Sequence, residues 1–323
     1  ILTTRYQIPA TNFMKYVFFG TPDFAVTTLR HLIEAGYIPS AIVTNPDRPV
    51  GRKHIITPPP IKQWALEHSN QLWKSDFHSL VFQPQKLGEI KEQLVALEPD
   101  LFIVAAYGKL IPKSVLEIPK HGSLNVHPSL LPIHRGPTPI QTAILNGDKE
   151  TGVTIMLMDE KMDHGAILKM QNVNLKNQNY RELSKGLAML GGELLIETIP
   201  QWIAGEIGPA SQDDEKATYT RIYRGEDGLL DFSKKAEELD CQVRALNPEP
   251  GTYFIKDGKR IKVLKAHIKT PNYGNPITIV GGMEGGDGAD GRKEVWIQCK
   301  KGVLILDTIQ MEGKKPMLGN LLH

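Results

Sequence analysis

Residues 101–108 read LFIVAAYG, an apolar run that ends in a glycine. A strand with one wet face alternates polar and apolar side chains. This one does not, so it belongs in a sheet covered on both faces. Such cover takes helices above and below a mostly parallel sheet. The flanking sequence supplies the units. KYVFFG at 15–20 reads as a buried strand. TPDFAVTTLRHLIEAG at 21–36 reads as a helix with Pro22 near its start and Gly36 as its stop, and SAIVTN at 40–45 as the next strand. Strand, helix and strand within about thirty residues make a βαβ unit. PIKQWALEHS at 60–69, KLGEIKEQLVALEPD at 86–100 and TPIQTAILNGD at 138–148 read as further helices, and TGVTIMLMDE at 151–160 and AILKMQNVNL at 166–175 as strands. A long amphipathic helical region follows at 179–205, with a break expected at Gly191-Gly192. The fold class is α/β, an open, parallel-type, Rossmann-like sheet.

The pattern changes near residue 205. GEIGPASQDDEKATYT at 205–220 is rich in glycine, proline and charge and reads as a linker. Beyond it, GTYFIKDGKRIKVLKAHI at 251–268 reads as two strands joined by a turn at Asp257-Gly258, and GGMEGGDGADG at 281–291 as a hairpin loop. The expected organisation is an extension at 1–13, a catalytic domain at 14–204, a linker at 205–220 and a small antiparallel β-barrel domain, OB-like, at 221–323. A chain of 323 residues has room for both cores. The net charge of +2 does not mark a nucleic-acid binder, because local patches matter more than the sum. The two cysteines, Cys241 and Cys299, lack metal-ligand spacing, and no apolar run is long enough to span a membrane. A reduced, cytoplasmic protein is the simpler reading, with an organellar matrix as the alternative.

One loop stands apart. PDRPVGRKHIITPPP at 46–60 carries too many prolines for a helix or a central strand, and it concentrates Arg48, Arg52, Lys53 and His54. Long exposed loops in such domains tend to be functional.

The densest chemistry is SLNVHPSLLPIHRGPTP at 123–139. Asn125 and His127 are two positions apart, so an extended chain sends both side chains to one face. Pro128 biases His127 toward that extended form. The pair follows the central strand, at the edge where open α/β sheets bind ligands. An asparagine amide donates to a developing oxyanion, and an imidazole moves protons near neutral pH. No nucleophile accompanies them. Ser129 has no G-x-S-x-G elbow around it, and both cysteines fall in the far domain. An amine on the substrate would fill that role. Asp159, Glu160 and Asp163 are the candidate carboxylates for orienting an imidazolium. Each residue also has a plain structural reading: a buried hydrogen-bonder for Asn125 and His127, a turn former for Asp163.

NVHPSLLP with Arg135-Gly136, ETGVTIM, and Asp163 with Gly165 resemble the 10-formyltetrahydrofolate-dependent formyltransferase family. FFGTPDFA, TNPDRPVGR, AAYGKLIP, DGLLDFSKKA and RALNPEPGTYF extend the resemblance over essentially the whole chain after residue 13. The resemblance implies a formyltransferase fold, with Asn125, His127 and Asp163 as the catalytic three. It implies that 10-formyltetrahydrofolate, a cosubstrate, lies along Ser129, Leu130, Leu131 and Pro132, with contacts from Ala105, Tyr107, Gly108 and Asp159. It implies formyl transfer to the α-amine of methionine on initiator tRNA. Arg48, Arg52 and Lys53, then Lys259, Arg260 and Lys262, would contact that tRNA. No metal, membrane or obligate protein partner is implied, and a monomer is expected. Lys161, His164, Ile55 and Glu249 depart from the family's usual residues. The nearest alternative is a folate-dependent N-formyltransferase acting on an amino sugar nucleotide. A non-catalytic RNA-binding module and a formate-releasing hydrolase fit less well. The first would not need all three polar residues, and the second is expected to carry a regulatory extension longer than thirteen residues.

Overall fold

The computed structural model describes residues 14–51, 53–72, 80–269, 283–287 and 293–321. In chain order its main elements are β1 (Tyr16–Gly20), α1 (Asp23–Glu34), β2 (Ala41–Val43), β3 (Arg48–Val50), β4 (Ile55–Thr57), α2 (Pro60–Leu72), β5 (Val81–Phe82), α3 (Lys91–Ala96), β6 (Leu101–Ala105), α4 (Lys113–Leu116) and β7 (Ser123–His127). Then come α5 (Pro139–Asn146), β8 (Glu150–Leu157), β9 (Ala166–Asn174), α6 (Tyr180–Ile203), α7 (Ala236–Leu246), β10 (Thr252–Lys256), β11 (Lys259–Lys269), β12 (Met283–Asp287), β13 (Lys293–Gln298), β14 (Val303–Met311) and β15 (Met317–Leu318). They form two compact units. The first is drawn from residues up to Pro137, from Glu150–Val173 and from Ser184–Tyr219; the second from Thr138–Lys149, Asn174–Leu183 and Thr220 onward.

The first unit holds a sheet of order β5-β2-β1-β6-β7-β8-β9. The expected parallel core spans β5, β2, β1, β6 and β7. β8 then runs antiparallel to β7, the mixed edge often found on such sheets. Every residue of β1, β6 and β7 is buried, as an unbroken apolar run requires. Val17, Phe19, Phe102 and Val104 point to one face and pack with Leu94 and Tyr107. Their alternate neighbours Phe18 and Ile103 are equally buried, so both faces carry a core. The proline-rich loop is a two-stranded antiparallel ribbon, β3 with β4, that leaves Val50, Ile55 and Ile56 exposed. Its base is tied down at Asp47, which accepts from Gln83 at 2.7 Å and from Lys62 at 2.9 Å. These two donors hold the Asp47 carboxyl below the ordinary carboxylate range.

One expectation fails in α6, which runs unbroken through Gly191 and Gly192. The two glycines serve close packing instead. A Cβ on Gly191 would lie 2.4 Å from Val126 Cγ1 of β7, and one on Gly192 would lie 2.5 Å from the Cβ of His31 in α1.

The second unit is a curled antiparallel half-barrel, ordered β10-β11-β14-β13-β12 with β15 beside β14. Leu239 and Val243 of α7 pack onto Phe254, Ile261, Val263 and Leu306 of the sheet. An irregularity between Val263 and Ala266 bends β11 against β14. The glycine-rich stretch read as a hairpin loop is in part a strand. Met283–Asp287 pairs with β13, since small residues do not prevent ladder bonds, and the rest of that stretch lies outside the described residues. Among the described residues no helix is long and apolar enough to cross a membrane.

Two glycines of α6 should respond in opposite ways to alanine. Gly186 has open space around its added Cβ. Gly186→Ala should therefore stabilise by up to about 1 kcal/mol through helix propensity. Gly191→Ala gains the same term but pushes into a stiff valine. Overpacking of ~1–3 kcal/mol should win and destabilise the protein. Urea unfolding of both variants checks the signs, and two stabilising substitutions would contradict this packing.

Candidate active site

β7 carries the site because its C-terminal half lies between β6 and β8. Asn125 pairs with Val104 on one side and Met156 on the other, and His127 sits opposite Thr154. Both side chains are nearly buried, at 8% and 4% exposed. His127 Nε2 lies 3.0 Å from the carbonyl of His134. A carbonyl only accepts, so Nε2 carries a proton, and the neutral ring leaves Nδ1 bare. That Nδ1 lies 3.5 Å from Oδ1 of Asp163. The other oxygen of Asp163 accepts the backbone N–H of Gly136 at 2.7 Å. One carboxylate is thus braced by the backbone on one side and faces the imidazole on the other. Protonation of Nδ1 would make an imidazolium beside an anion.

The structure separates the three candidate carboxylates. Asp159 accepts the Lys161 N–H at 2.9 Å and faces His164 Nδ1 at 2.5 Å. Glu160 pairs with Lys113 at 3.1 Å on the surface. Only Asp163 faces His127. Its turn is demanding: Asp163 has a left-handed φ of 49°, and a Cβ on Gly165 would lie 2.0 Å from the carbonyl oxygen of Leu157. Asn125 makes no side-chain hydrogen bond among the described residues, so its amide is a donor held in place without a partner.

The other residues read from the sequence fall into three groups. Ser129 is spent within its own loop, donating to the Ile133 carbonyl at 2.6 Å, while its carbonyl accepts from Thr154 Oγ1 at 2.7 Å. Leu131 is buried, and its N–H donates to the same Thr154 hydroxyl at 3.2 Å. Leu130 and Pro132 are half-buried, so this loop offers its outer edge. Ala105 closes β6 in the core, and Gly108 is exposed with φ 81°. Tyr107 turns inward, its ring edge-on to Phe19, and its carbonyl already accepts from Thr21 at 3.0 Å and Asn45 at 2.9 Å. Only its N–H is left for a ligand.

Of the cationic candidates, Arg48 and Lys53 are exposed on the ribbon and its turn, while Arg52 lies outside the described residues. Lys259, Arg260 and Lys262 are exposed on β11, with Arg260 stacked 3.9 Å over the ring of Tyr253. Lys262 also lines a cavity of about 1000 Å³ in the second unit, beside Arg181, Lys265 and His267. Strand alternation from Lys262 leads to Leu264 and Ala266, so Lys265 and His267 carry no signal in the sequence; the irregularity between Val263 and Ala266 shifts the register there. Arg181 comes from a remote helix start and carries none either. Sequence reasoning also missed Thr154, the His134 carbonyl, Arg135 and Gln212, which brace the polar trio. Among the described residues no cluster of three or more His, Cys, Asp or Glu side chains fits a metal ion.

A family model described as formyl transferase matches residues 14–199, and one described as formyl transferase, C-terminal domain, matches residues 223–322. The methionyl-tRNA formyltransferase of Bacillus subtilis is 43% identical over 310 residues, covering 94% of this chain and 92% of that one. Among solved structures, HypX from Aquifex aeolicus in complex with tetrahydrofolic acid superposes with a TM-score of 0.63 at 15% identity, over 95% of this chain and 46% of that longer one. The N-formyltransferase from Helicobacter canadensis, in complex with folinic acid and dTDP-3-aminofucose, gives 0.62 at 19% identity, over 92% and 99%. These two likenesses show the shared fold.

Burial pushes the Tyr107 phenol up to about 12, so its ionised form has no role at neutral pH. Its hydroxyl is buried with no hydrogen-bond partner among the described residues. Leaving such a group unpaired costs roughly 1–3 kcal/mol. Tyr107→Phe should therefore keep or raise thermal stability and leave the steady-state parameters for a folate substrate unchanged. A weakened folate KM would put the hydroxyl in the site and contradict the inward-facing ring.

Proposed function

We propose that this chain, which belongs to the formyl transferase family, transfers the formyl group of 10-formyltetrahydrofolate to the α-amino group of methionine carried on initiator tRNA. The observation that carries the acceptor is the 43% identity to a methionyl-tRNA formyltransferase over 94% of the chain, the C-terminal domain included.

Chemistry at the site follows from its own groups. The substrate amine supplies the nucleophile that the chain lacks. As it attacks the formyl carbon, Asn125 Nδ2 donates to the oxygen that gains charge. His127 is protonated on Nδ1, its open nitrogen, and adds positive charge to the same region. Asp163 stabilises that imidazolium while Gly136 holds the carboxylate in place. The carbon–nitrogen bond to the folate breaks as the new amide forms, and the proton lost by the amine ends on the departing folate nitrogen. Asp163 would assist that transfer. The fit to a folate rests on the unpartnered Asn125 amide and the half-buried edge at Leu130 and Pro132.

The tRNA would be gripped by charge. Arg48 and Lys53 project from a ribbon too short and proline-rich to build a core of its own, and Lys262 and Lys265 face solvent on β11. Arginine pairs with phosphate through two parallel bonds, so it positions as well as attracts.

Asn125→Ala, His127→Ala and Asp163→Asn should each keep the fold and lower turnover by roughly 10² or more. Steady-state rates with circular dichroism as the folding control decide this. A folded variant with near-normal turnover removes that residue from the mechanism. Incubation with labelled 10-formyltetrahydrofolate and, in turn, methionyl-tRNA, free methionine and an amino sugar nucleotide tests the acceptor. Label should enter methionyl-tRNA alone, and label in the sugar would support the alternative acceptor. Replacing Arg48 and Lys53 together with alanine should raise the KM for methionyl-tRNA and flatten its salt dependence, because fewer counterions are released on binding. Folate binding should not change, and an unchanged salt slope would mean that the ribbon does not touch phosphate.

A further inference from the structure

Gln212 lies in the stretch that reads as a linker, yet its side chain has no bonding capacity to spare. Its Nε2 donates to two backbone carbonyls, Asp163 at 2.9 Å and Gly165 at 2.7 Å. Its Oε1 accepts twice from Arg135, at 3.0 Å from Nε and 2.8 Å from Nη2. Both ends of the amide therefore grip the catalytic machinery. Arg135 is 1% exposed and sits between two residues that hold the site: His134, whose carbonyl accepts the hydrogen bond from His127 Nε2, and Gly136, whose N–H braces Asp163. The carbonyls taken by Nε2 flank His164, inside the turn that begins with the left-handed Asp163.

The backbone around Gln212 is fixed at both ends. Ala210 exchanges two hydrogen bonds with Ile167 at the start of β9, at 2.7 and 2.9 Å. Thr218 donates to the Pro132 carbonyl at 3.2 Å and accepts the Arg135 N–H at 2.9 Å, and its hydroxyl accepts the His134 N–H at 2.8 Å. A flexible tether would make none of these bonds. The segment runs as a strap from the Asp163 turn to the His134–Gly136 loop, and Gln212 is the side chain that joins the two.

We propose that Gln212 is a positioning residue for formyl transfer: its amide, anchored on Arg135, locks the Asp163–Gly165 turn so that the Asp163 carboxylate faces His127. This rests on the function proposed above for the Asn125, His127 and Asp163 site. Aspartate tolerates the left-handed region better than most residues, yet its φ there is still not the favoured one, and a restraint keeps the turn in place. Two donors from one amide supply that restraint. Misplacement of a catalytic group by about 1 Å is enough to lower a rate by roughly 10².

Gln212→Glu separates this role from simple anchoring. The carboxylate keeps, and strengthens, the bonds accepted from Arg135, so the strap stays attached and the protein folds. Both donors to the Asp163 turn are lost. Gln212→Met removes the donors and the acceptor together, without adding charge. In both variants kcat for methionyl-tRNA should fall by about tenfold or more, with KM for folate and for methionyl-tRNA within about twofold of the parent. The ring signals of His127, followed by NMR at one fixed pH, should shift in both variants, because its carboxylate partner no longer faces it. Unchanged kcat in either folded variant, or unchanged His127 ring signals in Gln212→Met, would overturn the positioning role. Failure of the parent itself to formylate any amine would instead defeat the proposed function. In that case the His127 ring signals of Gln212→Met still read the position of Asp163.

Discussion

The Nε2–H of His127 donates to the carbonyl of His134, and that bond decides what the ring does. It sets the tautomer, because a carbonyl accepts a proton and offers none. It turns Nδ1 toward Asp163, 3.5 Å away. It also makes the conformation of the loop after β7 part of the chemistry. Were that carbonyl to rotate away, the imidazole would be free to flip, and the carboxylate would face the wrong nitrogen. The bracing bonds around it, from Gly136, Thr154, Thr218 and Gln212, all act on the two short segments that meet at the His127–Asp163 pair.

The sheet provides the rigidity that such a bond needs. β1, β6 and β7 are buried along their whole length, and helix α6 packs Gly191 against the Val126 side chain of β7 with no room for a Cβ. Fully buried strands leave little room for adjustment, so Asn125 and His127 emerge from a fixed base. The working loops then hang from the ends of β7 and β8. Gly165 illustrates the fit, since any side chain there would meet the Leu157 carbonyl at the end of β8.

Much of this was legible from the residues. LFIVAAYG announced a strand covered on both faces, and Asn125 and His127 announced a shared face by their spacing. The proline-rich stretch announced an exposed element, though not that it pairs with itself as β3 and β4. The choice among Asp159, Glu160 and Asp163 was not legible. It depends on which carboxylate the turn aims at His127, and the residue type is nearly the same in all three. Gly191-Gly192 reads as a helix break on propensity, but tertiary contact with Val126 and His31 overrides local preference. Gln212 was hidden most completely. Its partners, Arg135 and the Asp163 turn, lie 77 and 49 positions away in sequence, and a glutamine among linker residues carries no mark of such contacts.

The claim that the site is organised by the His127 tautomer is open to one direct measurement. With the ring nitrogens of His127 labelled with ¹⁵N, NMR above the pH at which the ring titrates reports which nitrogen holds the proton. Nε2 should be protonated and Nδ1 bare in the wild-type protein without substrate. A signal showing the proton on Nδ1, or the rapidly exchanging mixture of a free histidine, would contradict it.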